Sequence, residues 1–253
     1  MKHIFRTIIL LLVASLVLAT PAFAKNDNAK KSLVALGDSI PFGYNLGEDN
    51  LEPSKYAFPY LMGDAADLRV RNLAVPGWRT DHLLPVIQHD QKFRKAIRHA
   101  DYITLNIGSN DLLLALNTAN ARSGGNPLLF QYYLNEELQN SPMMANLSAI
   151  ILEISSLTDA PVVLYNIYNP FQTNDPLHGI GTQFLPALNG AMVQVSFMFP
   201  HVKIADANTA YGSNQAEYVR INDIHPTIAG QQKLAEIGLK ALKLPTTSKK
   251  GKK

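Results

Sequence analysis

Strand-like and helix-like stretches alternate along most of this chain, and the alternation predicts its architecture. Short runs at 32–36, 69–72, 102–107, 161–166 and 202–206 read as strands, being brief, bounded by turn residues and, all but the strand-like 69–72, largely apolar. Helix-period stretches lie between them at 56–66, 91–99, 143–157 and 183–199. A closing helix follows at 227–242, with Thr227 in its first turn and Leu234, Ile237 and Ala241 on one face. Strands alternating with helices predict parallel βαβ units. Five of them give an α/β fold, a three-layer α/β/α sandwich around a five-stranded parallel sheet. Residues 111–142 break the economy: the segment is long for a strand-to-helix connection. It holds Ser123-Gly124-Gly125-Asn126-Pro127 and then Phe130, Tyr132 and Tyr133. It is expected to be either a helical excursion packed on the core or a lid beside a site.

The first 24 residues stand apart. Lys2 and Arg6 precede an apolar run from Ile8 to Leu18, and Ala22-Phe23-Ala24 closes the segment. The run falls short of the roughly 20 residues that cross a bilayer, and basic start, short apolar core and small-residue end describe a secretory signal peptide. Cleavage is expected after Ala24, releasing a secreted protein with no stable membrane insertion. Without any cysteine the chain has neither a lipid-anchor site nor disulfides. The expected organisation is therefore a signal peptide over 1–24, one catalytic-size domain over 25–244 and a basic disordered tail over 245–253.

After removal of the leader the chain carries 21 basic and 20 acidic residues. That balance gives no electrostatic case for nucleic acid as a partner. No histidine pair has the spacing of zinc ligands, so no metal is expected.

Four blocks carry the chemistry. The first strand ends in Gly37-Asp38-Ser39-Ile40, at the strand end where α/β folds place ligands. Then come Asn72-Leu73-Ala74-Val75-Pro76-Gly77-Trp78, the strand end Ile107-Gly108-Ser109-Asn110-Asp111, and Asn222-Asp223-Ile224-His225-Pro226 before the last helix. In type, order and context these blocks resemble the GDSL or SGNH hydrolase family, with Ser39, Gly77, Asn110 and His225 at its four letters. The resemblance spans essentially the whole mature chain. It implies the SGNH hydrolase fold, flavodoxin-like with strand order 2-1-3-4-5, and an Asp38 that shapes the nucleophile turn.

A serine hydroxyl attacks only when a base takes its proton and the developing oxyanion is stabilised. Ser39 is the expected nucleophile and His225 its base, while His82, His89, His99, His178 and His201 are expected at the surface. Gly77 and Asn110 are the expected oxyanion-hole donors, and the resemblance adds the backbone N–H of Ser39 as a third. One position departs from the family. The aspartate usually stands three residues before the histidine, where this chain has Asn222. Asp223 is the nearest carboxylate and the favoured third member of the triad; the alternative is a Ser39–His225 pair helped by Asn222 or a carbonyl.

These residues predict a secreted serine hydrolase of carboxylic esters, of the lipase, esterase or acylhydrolase type, working through an acyl-serine intermediate. The substrate would be a small-molecule, lipid or carbohydrate ester, and no cofactor is implied. Ile40, Phe42, Trp78, Leu112, Leu113 and Ile224 are candidates for an acyl pocket. A carbohydrate O-deacetylase would use the same triad with a smaller pocket. A non-catalytic surface-binding module on the same scaffold is the alternative of another class.

Overall fold

The computed structural model describes residues 30–246, so the expected signal peptide and the tail from residue 247 lie outside the described residues. The predicted runs form five strands: β1 (Ser32–Gly37), β2 (Arg69–Asn72), β3 (Tyr102–Asn106), β4 (Val162–Tyr165) and β5 (Val202–Ala205). All pair in parallel in the order β2-β1-β3-β4-β5, the order implied by the resemblance. β1 is buried along its whole length, as a central strand covered on both faces must be. β2, at the edge, alternates exposed and half-buried residues.

Strand side chains point alternately to two faces, and each face has its own core. Val34, Leu36, Ile103, Leu105, Val162 and Leu164 pack on one side. They meet helices α3 (Thr80–His89), α4 (Gln91–Arg98), α7 (Met143–Leu157) and α8 (Pro176–Phe197). Leu33, Val163, Tyr165 and Ala205 pack on the other, against α2 (Phe58–Ala66) and α11 (Ile228–Leu242). These are the three layers.

Four helices differ from expectation, two of them the short α9 (Ala207–Tyr211) and α10 (Gln215–Tyr218), where none was expected. α3 precedes α4 as a separate helix that the sequence reading passed over, because Pro85 interrupts its pattern. α8 starts at Pro176, capped by the Asp175 carboxylate, ahead of the expected 183; Gly179 and Gly181 weaken the helical signal there. Thr227 is the N-cap of α11, its hydroxyl accepting from Gly230 N at 3.0 Å.

The long 111–142 segment is helical. α5 (Ser109–Ser123) and α6 (Pro127–Asn140) form a hairpin turned by Gly124 and Gly125, both with positive φ. Ala115, Ala119 and Leu134 make a small core between them, on which Ile180 and Phe184 of α8 rest. Among the described residues no helix is long and apolar enough to cross a membrane.

Candidate active site

β1 must end sharply for a side chain to stand at the sheet edge. Gly37 makes this possible with φ +144, where a Cβ would collide with the Asn106 carbonyl. Asp38 then caps the single-turn helix α1 (Ser39–Phe42), its Oδ1 accepting from Ile40 N at 2.9 Å. Ser39 is the first residue of that turn. The fully buried Gln231 of α11 locks it from behind, donating to the Ile40 carbonyl at 2.9 Å and accepting from Phe58 N at 2.8 Å.

The His225 loop returns to this point. An isolated bridge between Val219 and Pro226 closes the loop at its base, with Arg220 N donating to the His225 carbonyl at 3.0 Å. Inside it the exposed Asn222 adopts φ +57, a conformation asparagine tolerates better than most residues. Tyr168 supports the far side, its hydroxyl donating to the Ile224 carbonyl at 2.7 Å.

The result is a chain of hydrogen bonds. His225 Nε2 lies 2.9 Å from Ser39 Oγ, and His225 Nδ1 lies 2.5 Å from Asp223 Oδ1. The carboxylate also accepts from Ile224 N at 2.7 Å and from Asn45 Nδ2 at 2.9 Å. Arg220 Nε lies 3.3 Å from Oδ2 as an ion pair, without hydrogen-bond alignment. Burial pushes the Asp223 pKa up, but the hydrogen bonds from Asn45 and His225 outweigh it and hold the group down at about 2. An anion behind Nδ1 keeps that nitrogen protonated and leaves Nε2 to face the serine.

Asn110 stands in the first turn of α5, whose N-cap is Gly108 at φ +113. Its Nδ2 donates to the Trp78 carbonyl at 2.9 Å, tying the helix to the Val75–Trp78 turn that carries Gly77. Gly77 has φ +79, and a Cβ there would meet nothing within 4 Å. Glycine is therefore favoured at 77 by the backbone conformation. The buried Asp111 anchors the next residues: its carboxylate accepts from Thr80 N at 3.0 Å and from Thr80 Oγ1 at 2.6 Å.

Asp38 lies under the serine with no exposed surface. Its Oδ2 has no hydrogen-bond partner. Burial, with the nearby Asp111 adding to it, raises its pKa to about 7 against the lowering effect of the Ile40 N–H.

Ser39, Asn110 and His225 share the wall of one apolar cavity of about 800 Å³, mouth included. Ile40, Leu112, Leu113 and Ile224 line it as expected, while Phe42 and Trp78 do not. Phe42 is buried within α1, and Trp78 turns to the core, where its ring stacks on Phe93 at 5.9 Å. Much of the remaining wall comes from parts of the chain the motifs do not mark: Leu116 of α5, Leu134 and Leu138 of α6, Phe171 after β4, and Phe184 and Leu188 of α8.

None of the other described histidines lines the cavity. His89 and His99 are exposed as expected. His82, His178 and His201 are half-buried, each beside a polar partner: Arg79, the Phe171 carbonyl and Ser155. Sequence reasoning also missed Asn45, Tyr168 and Gln231, whose role depends on contacts across 178, 56 and 191 positions. The one available signal was Gln231, a polar residue on the buried face of the last helix. No group of side chains suited to a metal ion occurs among the described residues.

The chain is 27% identical to the uncharacterized protein YpmR of Bacillus subtilis, covering 95% of this chain and 94% of that one. It is 24% identical to the spore germination lipase LipC of Bacillus licheniformis, over 80% and 92% of the two chains. The structure of the lipase Lip_vut3 from goat rumen metagenome has the same fold, with a TM-score of 0.67 at 23% identity over 85% of this chain and 99% of that one. Residues 35–233 match the GDSL-like Lipase/Acylhydrolase family, and the chain belongs to that family, as a carboxylic ester hydrolase.

Proposed function

We propose that this protein is an exported serine hydrolase that cleaves esters of apolar acyl groups through an acyl-Ser39 intermediate. The observation that carries the reading is the hydrogen-bonded line Ser39–His225–Asp223 opening into an apolar cavity. Ser39 Oγ attacks the acyl carbon while His225 Nε2 takes its proton. The carbonyl oxygen becomes an oxyanion, stabilised by the Asn110 side chain and the N–H groups of Gly77 and Ser39. Collapse breaks the bond to the alcohol, which leaves with the proton from Nε2. Water then gives a proton to Nε2, attacks the acyl-enzyme and releases the acid, and Ser39 recovers its proton. Asp223 stays ionised throughout and balances the imidazolium.

The cavity favours an acyl ester over an acetylated sugar. Its leucine, isoleucine and phenylalanine wall rewards each buried methylene with about 0.8 kcal/mol but offers little to sugar hydroxyls. The lipase named among the relatives supports the same choice. Export rests on the first 24 residues, and the hydrolase domain is assigned to 25–244 with a basic tail after it.

Two experiments test the reading. A serine-directed phosphonate should label Ser39, and Ser39→Ala should stay folded but lose hydrolysis of p-nitrophenyl hexanoate; labelling elsewhere, or retained activity, would refute the nucleophile. N-terminal sequencing of secreted protein should start at Lys25, and a retained Met1 would refute the signal peptide.

A further inference from the structure

The aspartate of this site stands two residues before its histidine, in a loop closed at its base by the Val219–Pro226 bridge. A carboxylate rotates easily about its last torsion. Contacts at Oδ1 alone, from His225 Nδ1, Ile224 N and, at 3.3 Å, His225 N, leave its plane to be held by whatever meets Oδ2. Two groups reach Oδ2. Arg220 Nε approaches to 3.3 Å but is not aligned for a hydrogen bond, so it acts on the charge of the carboxylate and not on the direction of its plane. Asn45 is aligned, at 2.9 Å.

Asn45 is itself held. Its backbone N–H donates to Asn50 Oδ1 at 2.8 Å, and Asn50 Nδ2 donates back to Asn45 Oδ1 at 3.1 Å. With its oxygen taken as an acceptor, the amide presents its N–H end to Asp223. Its φ of +63 continues a reversal begun at Gly43, φ +75. The reversal also lays the Tyr44 ring against His225, with centroids 5.0 Å apart. The loop that follows the nucleophile thus folds back over the acid–base pair.

We propose that Asn45 is a positioning residue of this hydrolase: its side-chain amide, clamped by Asn50, orients Asp223 toward His225 Nδ1. The proposal rests on the reading of Ser39, His225 and Asp223 as the catalytic triad. A neutral donor suits the task. It fixes the carboxylate without adding to the positive charge that Arg220 already brings to Oδ2.

The test is kinetic, on p-nitrophenyl hexanoate, with Asn45→Gly made in the parent and in Asp223→Ala. Glycine accepts the positive φ at 45, so the change removes the amide with little backbone strain. In the parent, kcat should fall about 10- to 100-fold, the range for losing a hydrogen bond to a charged group, with KM kept within about twofold. In Asp223→Ala the same change should cost nothing further, because contacting residues that act as a unit are not additive. Asn50→Ala, which leaves Asn45 in place, should lower kcat in the same sense by a smaller factor. It decides the matter if Asn45→Gly does not fold. Parental kcat in Asn45→Gly, a full repeat of its loss in Asp223→Ala, or a change in KM alone overturns the proposal. So does parental kcat in Asn50→Ala where that variant must decide. If Asp223→Ala itself keeps parental activity, it is the triad reading that fails.

Discussion

Asn110 Nδ2 donates to the Trp78 carbonyl at 2.9 Å, so one N–H of the amide holds the Gly77 turn while the other remains for the cavity that Asn110 lines. One side chain thereby sets the spacing between two of the proposed oxyanion donors. Asn110→Ala should lower kcat by about 10²–10³ and leave KM nearly unchanged, since the donor acts in the transition state. Steady-state kinetics on a short p-nitrophenyl ester checks this; a large rise in KM at parental kcat would move Asn110 to ground-state binding.

Asp223 and Asn222 should separate cleanly. Asp223→Ala removes the anion behind His225 and should cost on the order of 10⁴ in kcat. Asn222→Gly should be close to silent, because the residue is exposed and serves its turn through φ +57. Equal losses in the two variants would displace Asp223 from the triad.

The buried Asp38 carboxyl should make stability depend on pH. Its pKa rises on folding from 3.8 to about 7, so the folded chain holds this proton more tightly than the unfolded one. Its contribution is fully present below about pH 4 and is lost as pH rises through 7. Asp38→Asn keeps an oxygen for Ile40 N and cannot ionise. Its Tm should therefore decline less than the parent's between pH 5 and pH 8. Parallel Tm profiles across that interval would show that Asp38 does not titrate there.

The α6 wall should set acyl-chain preference. In the parent, kcat/KM should climb by about fourfold per methylene from acetate to hexanoate, following the value of about 0.8 kcal/mol per buried CH₂. Leu134→Trp or Leu138→Trp should fill the cavity, flattening that climb while sparing the acetate rate. A parent that prefers acetate would point instead to the deacetylase reading.

Much of this could be read from the sequence because it is local. A short run of strand-forming residues bounded by turn residues forms a strand where the fold covers it, and the five runs between helix-period stretches predict the sheet. The order β2-β1-β3-β4-β5 came only through the family resemblance. Ser39 and Asn110 follow strand ends, and His225 precedes a capped helix. Each such position is specified by a few neighbouring residues. The sequence could not decide between Asp223 and Asn222, because that depends on how one loop curls around φ +57 and on what meets it from across the fold. It also could not show that Trp78 turns to Phe93, or that Leu134 and Leu138 bound the cavity. Nor could it show that Asn45 reaches Asp223 across 178 positions. Periodicity records which face of an element is buried, but not which distant side chain lies against it; that pairing is decided only when the layers pack.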